Sequence, residues 1–101
     1  MAAYVLVDVE VLDPEAYRAY SQAVPATLDL FGGRFLVRGG ATEKLEGSWN
    51  AVRTVLIEFP DVARARAWHA SPEYQAILPI RLRHARTDFM TILEGVEPTA
   101  G

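Results

Sequence analysis

Five side chains in this sequence have the chemistry to hold or alter a small molecule: Arg38, Glu58, Trp68, His69 and Tyr74. Arg38 stands directly before Gly39-Gly40, where missing side chains let a ligand or another backbone approach closely. A guanidinium in that place can fork onto a carboxylate or an enolate. Its plainer use is an ion pair with Glu58, Asp8 or Glu10. Any of these carboxylates becomes a general base near neutral pH when burial raises its pKa, and is otherwise an ordinary interface charge. His69 brings an imidazole suited to proton transfer near pH 7, and Trp68 and Tyr74 suit an apolar or aromatic ligand. Helical spacing also makes Trp68 a core residue with His69 exposed beside it. The candidates are therefore Glu58 and His69 for catalysis, and Arg38, Trp68 and Tyr74 for ligand binding.

Other chemistries lack their residues. With no cysteine there are no disulfides, thiolate metal sites, iron–sulfur clusters or cysteine nucleophile. His69 and His84 are fifteen residues apart, without the paired spacing of a metal site. A haem held by one histidine has no positive support. Gly32-Gly33 and Gly39-Gly40 have the wrong spacing for a dinucleotide or phosphate loop, and no serine sits in a nucleophile elbow. No cofactor and no metal are expected. The run Arg81, Arg83, His84 and Arg86 reads as a solvated helix end, where cations favour the dipole. A nucleic-acid partner is not expected from a chain with 13 acidic against 10 basic residues. Neither is a membrane partner, because no stretch approaches the ~20 apolar residues of a span. The first residues lack a basic segment, which makes the cytoplasm the expected location.

The elements that must position these residues follow from periodicity. One hundred and one residues, half of them hydrophobic, suit one domain. It is expected over residues 1–96, with 97–101 as a flexible tail. Tyr4 to Leu12 alternates as a strand. Asp13-Pro14-Glu15 opens a helix carrying Tyr17, Tyr20, Val24, Leu28 and Phe31 on one face, with Pro25 expected to kink it. Arg34 to Arg38 is a second strand, expected to pass a bulge or bend at Gly39-Gly40 and continue from Ala41 to Leu45. Val52 to Phe59 is the third. Pro60-Asp61 and Ser71-Pro72-Glu73 open further helical segments, the latter running towards Arg86 with Pro79 inside. Asp88 to Glu94 closes as a fourth strand. The order β-α-β-β-α-β predicts an α+β, ferredoxin-like sandwich. It has a four-stranded antiparallel sheet, helices on one face, and the first and third strands central.

Strict alternation puts Val5, Val7, Val9, Phe35, Val37, Val55, Ile57 and Phe59 under the helices. It leaves Leu6, Asp8, Glu10, Leu36, Arg38, Thr54, Leu56, Glu58, Met90, Ile92 and Glu94 on the other face. That mixture is greasier than solvent-facing sheets usually are, so a partner is expected there. The natural partner is a second copy, since twofold homodimers are the commonest assembly.

Three ordered blocks carry a resemblance. The first is Ala3-Tyr4-Val5-Leu6-Val7-Asp8-Val9 with Asp13-Pro14-Glu15, Tyr17 and Tyr20. The second is Gly32-Gly33-Arg34-Phe35-Leu36-Val37-Arg38-Gly39-Gly40 with Leu45-Glu46-Gly47 and Trp49. The third is Glu58-Phe59-Pro60, Ala67-Trp68 and Ser71-Pro72-Glu73-Tyr74, followed by Arg81 and Ala85. Together they resemble the family called domain of unknown function 1330, over about Tyr4 to Val96. The resemblance implies the dimeric α+β barrel superfamily, in which two ferredoxin-like sheets pack face to face. That superfamily includes cofactor-free monooxygenases, haem-degrading enzymes, muconolactone isomerases and stress-responsive dimers. The family has no established activity to carry over. Pro79 and His69 depart from its pattern, so a role for His69 is particular to this chain. The expected function is binding of a small apolar or aromatic acid by a homodimer, extending to cofactor-free chemistry of monooxygenase or isomerase kind. There Arg38 orients the ligand, Glu58 or His69 moves the proton, and Trp68 and Tyr74 line the cavity. The alternative is a non-catalytic homodimer with a stress-response, sequestration or accessory role.

Overall fold

In the computed structural model, which describes residues 1–96, the elements are β1 (Ala3–Val11), α1 (Pro14–Asp29), β2 (Arg34–Arg38), β3 (Thr54–Phe59), α2 (Val62–Ala70), α3 (Pro72–His84) and β4 (Ala85–Glu94). The expected tail, 97–101, lies outside the described residues. Each helix opens on a polar side chain that accepts an otherwise orphaned N–H. Asp13 accepts from Ala16 at 3.1 Å, Asp61 from Arg64 at 2.7 Å, and Ser71 from Tyr74 at 3.1 Å. Prolines follow at the first turns of α1 and α3. The strands form one antiparallel sheet in the order β2-β3-β1-β4, so β1 and β3 are central. This is the ferredoxin-like α+β arrangement, with three helices rather than two because Ser71 both ends α2 and caps α3.

The core lies between the sheet and the helices. Phe59, Trp68 and Tyr74 are wholly buried there, with Val5, Val7, Val9, Val24, Leu28, Val55 and Ile57 around them. Trp68 stacks obliquely on Tyr74 at 4.2 Å and on Phe59 at 5.4 Å, and its indole N–H donates to the Thr27 hydroxyl at 3.0 Å. Gly33 is where the chain turns off α1 against this core. A Cβ there would lie 2.7 Å from the Phe59 ring, so only glycine allows the turn to pack so closely.

Three expectations about the sheet are corrected. The expected continuation of β2 over Ala41–Leu45 is absent: the strand ends at Arg38, and residues 39–53 form an irregular arm. Gly39, at φ +73°, turns the chain out of the sheet, and no sustained alternation pulls it back. The bulge also lies earlier than expected, between Phe35 and Val37. Because one inserted residue reverses every side chain beyond it, Val37 pairs with Leu56 on the open face and Arg38 pairs with Val55 on the helix side. Arg38 was expected on the open face. Finally, Val5 pairs with Ile92 and Val7 with Met90, so Met90, Ile92 and Glu94 share the helix side. The open face takes Phe89, Thr91 and Leu93 instead. Both sets in β4 mix apolar and polar residues, so local pattern carried no phase for this strand.

The arm is anchored at its return into β3 by Asp8, which is 1 % exposed. Its carboxylate accepts from the backbone N–H groups of Val52 and Arg53, both at 3.1 Å, and from the Thr54 hydroxyl at 3.3 Å. Trp49 packs near Phe89 with ring centres 5.6 Å apart, while Leu45 at the arm's tip is 86 % exposed. The radius of gyration is 14.1 Å, above the roughly 13 Å of a compact chain this long.

Candidate functional site

Pro25 prepares the site. Lacking an N–H, it leaves the Ser21 carbonyl without its helical partner. The Arg38 guanidinium, turned inward by the β2 bulge, donates to that carbonyl. It also lies over the Phe35 ring, 4.2 Å from its centre. On the neighbouring strand, the alternation Arg53-Val55-Ile57-Phe59 brings Arg53 to the same side of the sheet. Its guanidinium rests on Gly39, where a Cβ would fall 2.5 Å from Nη1.

Arg81 completes the arrangement from above. It lies two helical turns beyond Tyr74 on the inner stripe of α3 and is 5 % exposed. Its guanidinium donates to the Thr87 hydroxyl and to the Met90 sulfur at 3.5 Å, and sits 5.9 Å from the Tyr20 ring centre. The two ion pairs among the described residues, Arg34–Glu58 and Arg86–Glu10, involve neither Arg81, Arg53 nor Arg38. The expected solvated helix end is thus corrected at Arg81, which faces the core.

These arginines enclose a chamber of about 40 Å³ between α1 and the sheet, walled by Val7, Val9, Tyr17, Tyr20, Val24 and Trp68 among others. That is the volume of one or two water molecules, or of a carboxylate head. Tyr17, Ser21 and Arg53 separate it from an outer cleft of about 460 Å³ that runs past Val11, Pro14, Gly39 and Val52. On the opposite side, Trp68 and Met90 separate it from a cleft of about 570 Å³ between α2 and β4, lined by Arg66, His69, Ile92 and Glu94.

The chamber favours anions. The Tyr20 and Tyr74 hydroxyls share a 2.7 Å hydrogen bond, and burial, reinforced by Tyr74, pushes the Tyr20 pKa far above its ordinary value. Burial raises Tyr17 against the opposing pull of Arg53 and Arg81. For Arg81, burial opposes the charge, but the Tyr74 and Tyr20 oxygens outweigh it and the pKa moves up, so the guanidinium stays charged. The chamber therefore presents cations and neutral phenols, with no carboxylate or imidazole on its wall among the described residues.

The expected site residues divide accordingly. Arg38 and Trp68 line the chamber, and Tyr74 reaches it through its hydroxyl bond to Tyr20. His69 is exposed on the far side of Trp68, its ring 5.4 Å from that of Tyr74. Glu58 lies on the opposite face of the sheet, bound to Arg34 at 2.7 Å. Arg81, Arg53, Tyr17 and Tyr20 were not among the candidates. The signals existed: Tyr74, Ile77, Leu78 and Arg81 form one helical stripe, and Arg53 shares the period of Val55 and Ile57.

Partial burial, and then the charge of Arg81, lower the His69 pKa below its ordinary 6.5. A nuclear magnetic resonance titration should place its midpoint below that value, and Arg81→Gln should move it upward. A midpoint at or above 6.5 in the unsubstituted protein would overturn the downward shift as a whole, and no response to Arg81→Gln would show that Arg81 does not act on this imidazole.

Among solved structures, a protein of unknown function from Rhodopseudomonas palustris superposes with a TM-score of 0.71 at 20% identity, covering 96% of this chain and 84% of that one. A dimeric ferredoxin-like protein of unknown function from Jannaschia sp. gives 0.62 at 19% identity, covering 94% and 100%. SnoaB from Streptomyces nogalater, a cofactor-independent oxygenase, gives 0.64 at 10% identity, covering 99% and 98%. These likenesses concern the fold. No curated protein matches the chain. The family described as "Domain of unknown function (DUF1330)" matches residues 2–96. With the match running from the first strand to the end of the last, the chain belongs to the DUF1330 family.

Proposed function

We propose that this protein is a homodimer that binds a small carboxylic acid with an apolar or aromatic body between its helices and its sheet. The observation that carries this reading is Arg81: a residue 5% exposed, with no carboxylate partner among the described residues and with a buried Nε that meets no acceptor there. Leaving such a charge unpaired is costly, and a ligand carboxylate removes the cost. The carboxylate head matches the chamber, while the body extends past Tyr17 and Ser21 into the outer cleft. Arg38 orients the ligand, and Trp68 and the Tyr20–Tyr74 pair wall the head group.

The chemistry such a site favours is cofactor-free. Clustered guanidiniums stabilise an enolate or phenolate, so a ligand that ionises itself is held as its electron-rich anion. The fold likeness to a cofactor-independent oxygenase supports this version. His69 would serve as a base only for a ligand in the α2–β4 cleft, and Glu58 only on the other sheet face. The second reading, a binding or sequestering dimer without catalysis, is favoured by one observation: no group on the chamber wall accepts a proton near neutral pH.

The dimer forms through the open face, where Val37 is 39% and Leu93 44% exposed beside Leu6 and Leu56. Dimeric relatives of the fold support it. Light scattering should give twice the chain mass, and Val37→Lys with Leu93→Lys should give a folded monomer. A monomer in the unsubstituted protein overturns this assembly. Benzoate, as a probe acid, should raise the melting temperature with the logarithm of its concentration, by the equivalent of about 2.7 kcal/mol at a hundredfold excess over Kd. No shift with benzoate or hexanoate at millimolar concentration would overturn the acid-binding reading.

A further inference from the structure

We infer that the acid held in this chamber carries two anionic groups, one bound by Arg81 and the other by Arg53 with Arg38 at the mouth. This deepens the acid-binding reading and rests on it. Among the described residues, two buried side-chain polar atoms lack a hydrogen-bond partner: Arg53 Nε and Arg81 Nε. Both side chains line the same chamber. Orphaned buried donors are rare in folded proteins, and two on side chains that line one space point to acceptors that the described residues do not supply.

The two arginines stand at different depths. Arg81, held by Thr87 and Met90 over β4, lines the chamber and not the outer cleft, whereas Arg53, at the start of β3, stands on the partition and lines both. A carboxylate in the chamber on Arg81 leaves the cleft side of Arg53 unanswered, whereas a diacid with a short apolar or aromatic spacer reaches both. Charge leads to the same conclusion. Three guanidiniums face the chamber with no acid among them, so a monoacid neutralises one and a diacid two. The second binding position is also shaped for Arg53. Gly39 gives up its side chain, and Asp8 fixes the Arg53 backbone N–H at 3.1 Å, which sets where the guanidinium starts.

The test is calorimetric titration of two matched pairs, benzoate with isophthalate and hexanoate with adipate, at low ionic strength. In the unsubstituted protein at least one diacid binds tenfold or more tightly than its monoacid. Arg53→Gln brings that ratio close to one, and Arg53→Lys, which keeps the charge but loses the fork, retains part of it. Circular dichroism confirms that both variants are folded. If a monoacid binds but neither diacid is preferred, or if Arg53→Gln leaves the ratio unchanged, the two-anion assignment is overturned while acid binding stands. If no member of either pair binds, the acid-binding reading fails and this inference fails with it.

Discussion

Replacing Arg81 by methionine should make the protein more stable and, at the same time, unable to bind acids. The two effects have one cause. Arg81 carries a full charge at 5 % exposure, met by the Thr87 hydroxyl, the Met90 thioether and the Tyr20 and Tyr74 oxygens, with no carboxylate among the described residues. Exchanging buried charge for well-packed apolar volume is commonly worth about 1–4 kcal/mol to the folded state. In a domain of this size each 1 kcal/mol moves the melting temperature by roughly 4–8 °C. Methionine has about the length to fill the space under Tyr20 and Tyr74, and the lost bond to Thr87 leaves a hydroxyl that can turn elsewhere. Thermal unfolding with and without benzoate reads both parts. A rise in melting temperature together with loss of the benzoate shift is expected, because binding sites hold groups that the fold alone would not choose. A fall of several degrees in the absence of ligand would mean that Arg81 is a structural cation, and it would remove the main support for acid binding.

Trp68→Ala should have the largest destabilising effect. The ring is wholly buried, lies against Phe59, Tyr74 and His69, and donates to Thr27. Aromatic truncation in a core costs about 3–5 kcal/mol. Whole domains hold only about 5–15 kcal/mol, so the variant should be marginally folded at best. Trp68→Phe keeps most of the apolar contact but removes the indole N–H from Thr27, and should cost about 1–2 kcal/mol. Urea midpoints read the series, provided the slope with denaturant stays constant. Trp68 is also the partition between the chamber and the α2–β4 cleft. A Trp68→Phe protein of unchanged stability but altered benzoate affinity would assign the indole to the ligand rather than to the core.

Much of this architecture was readable from local pattern. The caps Asp13, Asp61 and Ser71 and the prolines after Asp13 and Ser71 mark the helix starts because a helix end needs acceptors for its first N–H groups. The alternation of β1 and β3 marks their buried sides because Val and Ile recur every second residue. Even the orphaned carbonyl of Ser21 was implied by Pro25. The site was less readable. Arg38, Trp68 and Tyr74 were recognisable as residue types, yet Arg81 was hidden within a run of cations that looked like a solvated helix end.

Side-chain direction in β2 and β4 was decided by the tertiary structure. The residues of β2 are compatible with either phase. The bulge opposite β3 reverses Val37 and Arg38 only because pairing with Leu56 and Val55 requires it. A second irregularity, at Asp8 and Val9 against β4, leaves Asp88 without a partner and brings Thr87 beneath Arg81. Sequence alone therefore determined the four strands and their order along the chain, the helix starts and the buried faces of β1 and β3, each of which depends on neighbours within a few positions. The convergence of Arg38, Arg53 and Arg81 on one chamber was decided by the register between strands whose paired residues lie as far apart in sequence as Ala3 and Glu94. A one-residue shift in that register turns a charged side chain from one face of a sheet to the other, and no local preference reports it.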